Sequence, residues 1–142
     1  MSRIIYTNPF LMDEENPEST VVKQTQYGTF YSTVRCQECD KDIKNRWDGY
    51  YFADIKCEIK SQKMKLRLFK EREKEIVHLL NVAKQGKNNP AVIDFLERQL
   101  KVLQKEVGRI QEGIETVQKE YPNLVKKTLK KRRDFREKRL EK

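Results

Sequence analysis

A heptad pattern in the second half of the chain most constrains what this sequence can fold into. Apolar side chains recur there at alternating spacings of four and three, without a gap over nine positions: Leu96, Leu100, Leu103, Val107, Ile110, Ile114, Val117, Tyr121 and Leu124. This is the a/d pattern of a coiled-coil helix, whose apolar stripe needs another helix to cover it.

The first half of the chain carries a matching stripe and can therefore supply the partner helix. The same spacing, with two polar interruptions, joins Phe52, Ile55, Ile59, Gln62, Leu66, Phe69, Glu73, Ile76, Leu80 and Ala83. Residues 84–90 between the stripes contain the glycine, asparagines and proline that end one helix and begin the next. We therefore predict a mainly α fold, an antiparallel two-helix coiled-coil hairpin over residues 47–121.

The register of this hairpin follows from the spacing. Folding at the turn places Leu66 opposite Ile110 and Leu80 opposite Leu96, and it brings Arg72 opposite Glu106. An exposed ion pair of this kind selects register more than it adds stability. The alternative is that helix two pairs with its own copy in another chain. Two helices bury little apolar surface, so we expect further packing between subunits.

The N-terminal third has a different composition. Residues 1–20 are acidic and contain prolines, which predicts an extended N-terminal arm. Residues 21–35 are rich in Val, Thr, Tyr and Phe, and Gly28 lies near their middle, so we predict a short β-hairpin that bends at Gly28. With a cysteine-containing, knuckle-like turn, this region extends to residue 46.

The C-terminal segment, residues 122–142, predicts a basic helical tail. Pro122 removes one helical hydrogen bond, so we expect a kink or a fresh helix start there. Residues 126–142 hold ten Lys or Arg and three acidic residues, which gives +7 of the chain's +9 net charge. The heptad stripe stops at Leu124, and the tail should therefore be independent of the hairpin.

These cations are the strongest functional signal. A second set recurs at spacings of three and four along helix one, and such a stripe follows phosphates without reading bases. We expect a nucleic acid or another polyanion as partner. The candidate contact residues are Lys60, Lys63, Arg67, Lys70, Lys74, Lys126, Lys127, Lys130, Lys131, Arg132, Arg133, Arg136, Lys138 and Arg139. The alternative is a solvated coiled-coil face with a tail that confers solubility.

Three cysteines raise the question of a zinc site. The C-x2-C-x17-C spacing of Cys36, Cys39 and Cys57 is similar to the four-cysteine finger of the coiled-coil regulators of bacterial RNA polymerase. That resemblance implies a fourth ligand at Lys60, but lysine is a poor zinc ligand. In that family the hairpin also precedes the finger. We expect three thiols without metal; zinc completed by a carboxylate such as Asp40 or Asp54 is the alternative.

The sequence offers little for catalysis or for a membrane. The single histidine, His78, is predicted on the outer face of helix one, which leaves no acid–base pair to build around. No run is long and apolar enough to span a bilayer, and no export signal is evident. We expect a non-enzymatic intracellular protein without a cofactor.

Two functions from different classes follow. The first is an oligomerising hairpin that presents basic elements to DNA or RNA. The second is a structural component of a virion or another large assembly, in which the arm and hairpin bridge neighbouring subunits. The stretch from Val82 through Asn89-Pro90 to Leu100 also resembles the central oligomerisation hairpin of phage small terminases, which implies a DNA-packaging role.

Overall fold

The computed structural model describes residues 3–7, 18–35, 46–86 and 89–140. Three strands precede two long helices: β1 (Arg3–Thr7), β2 (Glu18–Thr25), β3 (Gly28–Arg35), α1 (Arg46–Gln85) and α2 (Pro90–Leu140). The chain divides into two compact units. One contains the residues up to Ser61 together with those from Val117 onward, and the other is residues 62–116. Both helices run through both units.

The predicted helical hairpin is confirmed, and the two helix ends at its turn agree with the sequence pattern. The Gly86 amide donates to the Val82 carbonyl at 3.0 Å and closes α1. Asn89 caps α2, because its side-chain oxygen accepts a hydrogen bond from the Ala91 amide at 3.0 Å. Pro90 occupies the first helical position, where its missing N–H leaves no bond unmade.

Burial in the unit of residues 62–116 follows the predicted a/d stripe. On α2 the buried side chains are Leu103, Val107, Ile110 and Ile114, and on α1 they are Leu80 and Ala83. The polar interruptions Gln62 and Glu73 are half-buried within the stripe. Lys84 lies 3.6 Å from Glu97 across the two helices. The heptad spacing therefore describes this part of the hairpin residue by residue.

The other unit contains a sheet where the sequence indicated only a hairpin. The strands form an antiparallel sheet in the order β1-β2-β3, with Ile5 opposite Val22 and Val22 opposite Tyr31. The predicted β2–β3 hairpin is thus joined by a strand from the predicted extended arm. A third strand provides the support that two strands alone lack.

The turn of the β-hairpin lies one position before the predicted bend. Gln26 and Tyr27 form the loop, and the Tyr27 amide donates to the Thr25 hydroxyl at 3.1 Å. Gly28 opens β3 with a φ of +136°, a conformation that side chains with a Cβ rarely adopt. Glycine is therefore required there by the backbone.

The sheet packs against a second face of α1. Val21, Tyr50, Ala53 and Cys57 form a buried cluster, with Val34 packed against it. Along β2 and β3 the buried residues alternate, at Ser19, Val21 and Lys23 and again at Ser32. The first turns of α1 are thus covered by the sheet on this face, while Phe52 on the stripe contacts Tyr121 of α2 at a ring distance of 6.3 Å.

Two expectations for the C-terminal segment are corrected. Helix α2 runs through Pro122 to Leu140, so a fresh helix start does not occur there, and the kink at Pro122 stays a prediction. The carbonyl that loses its donor belongs to the exposed Gln118, where water can replace the bond. Packing also continues beyond Leu124, because Val125 and Leu129 are half-buried, whereas Val117 on the predicted stripe is 41% exposed.

Candidate nucleic-acid interface

The last part of α2, residues 126–140, presents most of the predicted cations to solvent. Nine Lys or Arg side chains and two acidic ones lie in this helical segment. All nine are exposed: Lys126, Lys127, Lys130, Lys131, Arg132, Arg133, Arg136, Lys138 and Arg139. At 100° per residue, consecutive cations point in all directions around the helix axis. The segment is therefore a cationic rod and has no single basic face.

The guanidinium of Arg132 binds a carboxylate of its own unit. Its Nε and Nη2 atoms donate to the two oxygens of Asp48, each at 2.9 Å. The hydrogen bonds and charge of Asp48 raise the pKa of Arg132 further above its ordinary value. Asp48 lies in the first turn of α1, where a negative charge also favours the helix dipole. Arg132 thus fastens the basic segment to α1.

Aromatic and apolar groups also occur in the basic segment. Phe135 is 62% exposed, and the Arg139 guanidinium carbon lies 5.9 Å from its ring centre. The two residues are one helical turn apart, so this contact lies within α2 and leaves most of the Phe135 ring exposed in the basic segment.

Four of the five predicted stripe residues on α1 lie together in the unit of residues 62–116. Lys63, Arg67, Lys70 and Lys74 are exposed and surround a shallow surface depression with Leu66. Arg67 forms an exposed ion pair with Glu71 at 3.4 Å. Because these positions repeat every three or four residues, they form one continuous row along a single helix face.

The fifth stripe residue, Lys60, belongs to the other unit and has a structural contact. Its ammonium group donates to the Tyr31 carbonyl at 2.5 Å and lies 5.2 Å from the centre of the Tyr31 ring. Both contacts join α1 to strand β3. Lys60 therefore has a packing role that its place in the sequence pattern did not reveal.

Lys23, on strand β2, is a further cation that lies outside the predicted basic stripe. Its side chain is only 10% exposed and lies 3.1 Å from Asp54 and 2.8 Å from Glu58. Burial alone lowers the pKa of Lys23, but the hydrogen bonds to Glu58 and Asp54 outweigh it and raise that pKa. The sequence contains one indication of this contact: Asp54 and Glu58 are one helical turn apart on α1, so their carboxylates can bind the same cation.

The predicted thiols are only partly described. Cys36 and Cys39, two of the three cysteines of the alternative zinc site, lie outside the described residues. Cys57 is fully buried, and its thiol donates to the Val21 carbonyl at 3.3 Å. Burial raises the pKa of the Cys57 thiol, which disfavours the thiolate that binds metal or attacks a substrate. Cys57 acts here as a small core residue.

These features define a class of protein, a helical hairpin that carries a small antiparallel sheet and a long basic helix end. No protein-family model, curated protein or solved structure matches the chain. Within the described ranges, no helix has an apolar stretch long enough to cross a bilayer.

Proposed function

We propose that this chain is a non-enzymatic, oligomerising helical-hairpin protein that binds the phosphates of a nucleic acid. The observation that supports this function most strongly is the exposed cationic rod at residues 126–140. Its nine positive charges lie within about 21 Å of helix, at 1.5 Å per residue. Duplex DNA carries one negative charge per roughly 1.7 Å of its axis, so about twelve phosphates span this length and the net positive charge of the rod can neutralise several of them.

The distribution of charge around the rod favours binding within a groove over binding on a flat surface. A helix in a duplex major groove has phosphates on two sides. A helix lying on a membrane needs one apolar face and one cationic face. Residues 126–140 lack that division, because cations surround the axis and Phe135 and Leu140 project at different angles. Binding to phosphates should be largely independent of base sequence.

The α1 row supplies a second group of cations for the same purpose. Lys63, Arg67, Lys70 and Lys74 add four exposed charges, of which Arg67 is already paired with Glu71. We expect this row to contribute less than the rod, because it holds four cations and the rod holds nine. Lys60 and Arg132 should contribute least, since each is held by another part of its own unit.

Neutralising part of the rod tests the proposal. Replacing Lys126, Lys127, Lys130 and Lys131 with Gln keeps the Arg132–Asp48 contact and removes four charges. The matched control replaces four exposed cations elsewhere on α2 with Gln, namely Arg98, Lys101, Lys105 and Lys119. Fluorescence anisotropy with labelled DNA and RNA duplexes of scrambled sequence should show a loss of affinity of at least about tenfold for the rod variant and a small loss for the control. Equal losses would contradict a localised site.

The second candidate is a structural subunit of a virion or another large assembly. One observation favours it, because Phe95 and Val102 on α2 are both 60% exposed. Exposed apolar side chains of this size are typical of surfaces that contact other subunits. A DNA-packaging protein of the small-terminase type would combine both candidates. Absence of binding to DNA and RNA at low salt, together with assembly into large particles, would favour the structural subunit.

A further inference from the structure

The two flanks of the hairpin in residues 62–116 differ in chemistry. The heptad stripe places Leu80 at position a and Ala83 at position d, so Leu79 is at g and Val82 at c. On α2, the same count places Val92 at g and both Phe95 and Val102 at c. In an antiparallel pair the g positions of both helices lie on the same side of the seam. These five apolar residues therefore share one side of the hairpin, here named the apolar flank.

The opposite side of the hairpin carries positions b and e. On α1 these positions hold Lys63, Arg67, Lys70 and Lys74, which is the basic row described above. The same helix thus has an apolar flank on one side of its seam and a cationic flank on the other. Within residues 62–116 the seam residues cover each other, whereas the apolar flank is left open to solvent.

The exposure of the apolar flank is high for its residue types. Its five side chains are between 47% and 60% exposed. With ordinary side-chain areas, they present roughly 400–500 Å² of apolar surface to water. A stable protein–protein contact buries about 800 Å² on each partner, and about 60% of that area is apolar. The apolar flank thus has the apolar area of one side of a standard dimer contact.

The charges beside the apolar flank allow a second copy of the same surface. Arg72 and Glu75 on α1, and Glu106 and Arg109 on α2, occupy the next g and c positions of this side, and Glu106 and Arg109 form an ion pair with each other at 3.2 Å. They are two positive and two negative groups, so two copies related by a two-fold axis can place opposite charges together. Counted over both helices, the b and e positions of residues 62–116 hold six positive and three acidic side chains, so two copies of the cationic flank would repel each other.

We infer that the apolar flank is a homodimer interface, through which two hairpins pack into a four-helix bundle. This inference deepens the oligomerising part of the proposed function and rests on it. Pairing covers Leu79, Phe95 and their neighbours and leaves the basic row on α1 facing solvent. Each dimer also contains two copies of the basic segment, which raises its avidity for a polyanion that reaches both.

Sedimentation equilibrium of the full chain in 0.5 M salt without nucleic acid tests the inference. High salt screens contacts to phosphates, so the measurement reports association of the protein alone. The expected mass is about twice the 17.1 kDa of one chain. A single-chain mass at 100 µM, on the order of the concentrations that weak dimers need, would overturn the inference.

Two valines on the same helix provide a matched pair of variants. Val82→Glu places a charge on the apolar flank, and Val77→Glu places the same charge at an e position on the other side. Both valines are exposed, so circular dichroism should show an unchanged helical hairpin in each variant. We expect Val82→Glu to raise the dimer dissociation constant at least about tenfold and Val77→Glu to leave it within about twofold. Phe95→Gln should repeat the first result from α2.

The outcomes separate this inference from the proposed function. Equal effects of Val82→Glu and Val77→Glu, or a larger oligomer that Val82→Glu does not dissociate, would show that another surface mediates association and would overturn the inference. A dimer that depends on Val82 but binds no nucleic acid would leave the inference in place and remove phosphate binding. A monomer whose affinity for duplexes falls steeply with salt concentration would overturn the inference and leave phosphate binding in place.

Discussion

Arg132, near the end of α2, forms a bidentate pair with Asp48, in the first turn of α1, through two hydrogen bonds of 2.9 Å. Eighty-four residues separate them in the sequence. The pair fixes the basic segment to the unit that holds the sheet. It also commits one guanidinium that would otherwise be available to phosphate.

The first prediction concerns this pair. Asp48→Asn should lower the free energy of unfolding by about 0.5–1 kcal/mol, because the Arg132 side chain is 45% exposed and solvent screens much of the attraction. Chemical denaturation of Asp48→Asn, Arg132→Gln and the double variant gives the coupling energy. Additive effects of the two single changes would mean that the pair contributes no stability. Asp48→Asn should also strengthen duplex binding slightly, since Arg132 becomes available.

The second prediction compares two helical glycines. A Cβ on Gly49 would lie 2.8 Å from the Cβ of Ser19 and would also meet the Ser19 hydroxyl, whereas a Cβ on Gly108 would meet no atom within 4 Å. Gly49→Ala should therefore destabilise the chain, although alanine favours helix. Gly108→Ala should stabilise it by about 0.5–1 kcal/mol. Thermal melting of both variants checks the packing of β2 on α1, and stabilisation by Gly49→Ala would contradict that packing.

The third prediction is a pH dependence that arises from Lys23. Its pKa is raised in the folded state, so the stabilisation by Asp54 and Glu58 is complete below its ordinary value of 10.5. It is lost as the pH rises through the folded pKa. Lys23→Met should therefore unfold more easily than the parent chain at pH 8, and the difference between the two should shrink above pH 10.5. A constant difference up to pH 12, about 1.5 units higher, would exclude an electrostatic role.

The fourth prediction concerns the seam of the hairpin. Ile110→Asp buries an unpaired charge among side chains that the heptad pattern predicted and that the structure shows buried. It should cost several kcal/mol of stability, on the order of 3–5 kcal/mol. Lys101→Asp, at an exposed position off the seam, should change stability by less than about 0.5 kcal/mol. Comparable melting temperatures for the two variants would be inconsistent with the register.

The helical hairpin could be predicted from the sequence because its signal is local and periodic. Leu103 and Ile110 were predicted in the core from spacing alone, and Pro90 and Asn89 marked the start of α2. A seven-residue repeat determines which positions meet, and the turn between the helices then determines their register.

The sheet packing and the Arg132–Asp48 pair could not be predicted in the same way. The face of α1 that carries Ala53 and Cys57 has only small side chains there, and it packs against Val21 and Val34, which lie far away in the sequence. Contacts between residues far apart in sequence have no periodic signal. For the same reason Lys60 appeared to belong to a phosphate-binding row, although its ammonium group is bonded to strand β3.

The most direct test of the central claim is the salt dependence of duplex binding by the full chain and by the rod variant with Lys126, Lys127, Lys130 and Lys131 replaced by Gln. If about five phosphates are neutralised, log K against log salt should have a slope near −4 to −5 for the full chain. The rod variant keeps five of the nine cations of residues 126–140, so its slope should be clearly shallower than that of the full chain while its helical content is unchanged. A full chain that binds neither DNA nor RNA at low salt, or a rod variant with the full slope, would contradict phosphate binding by residues 126–140.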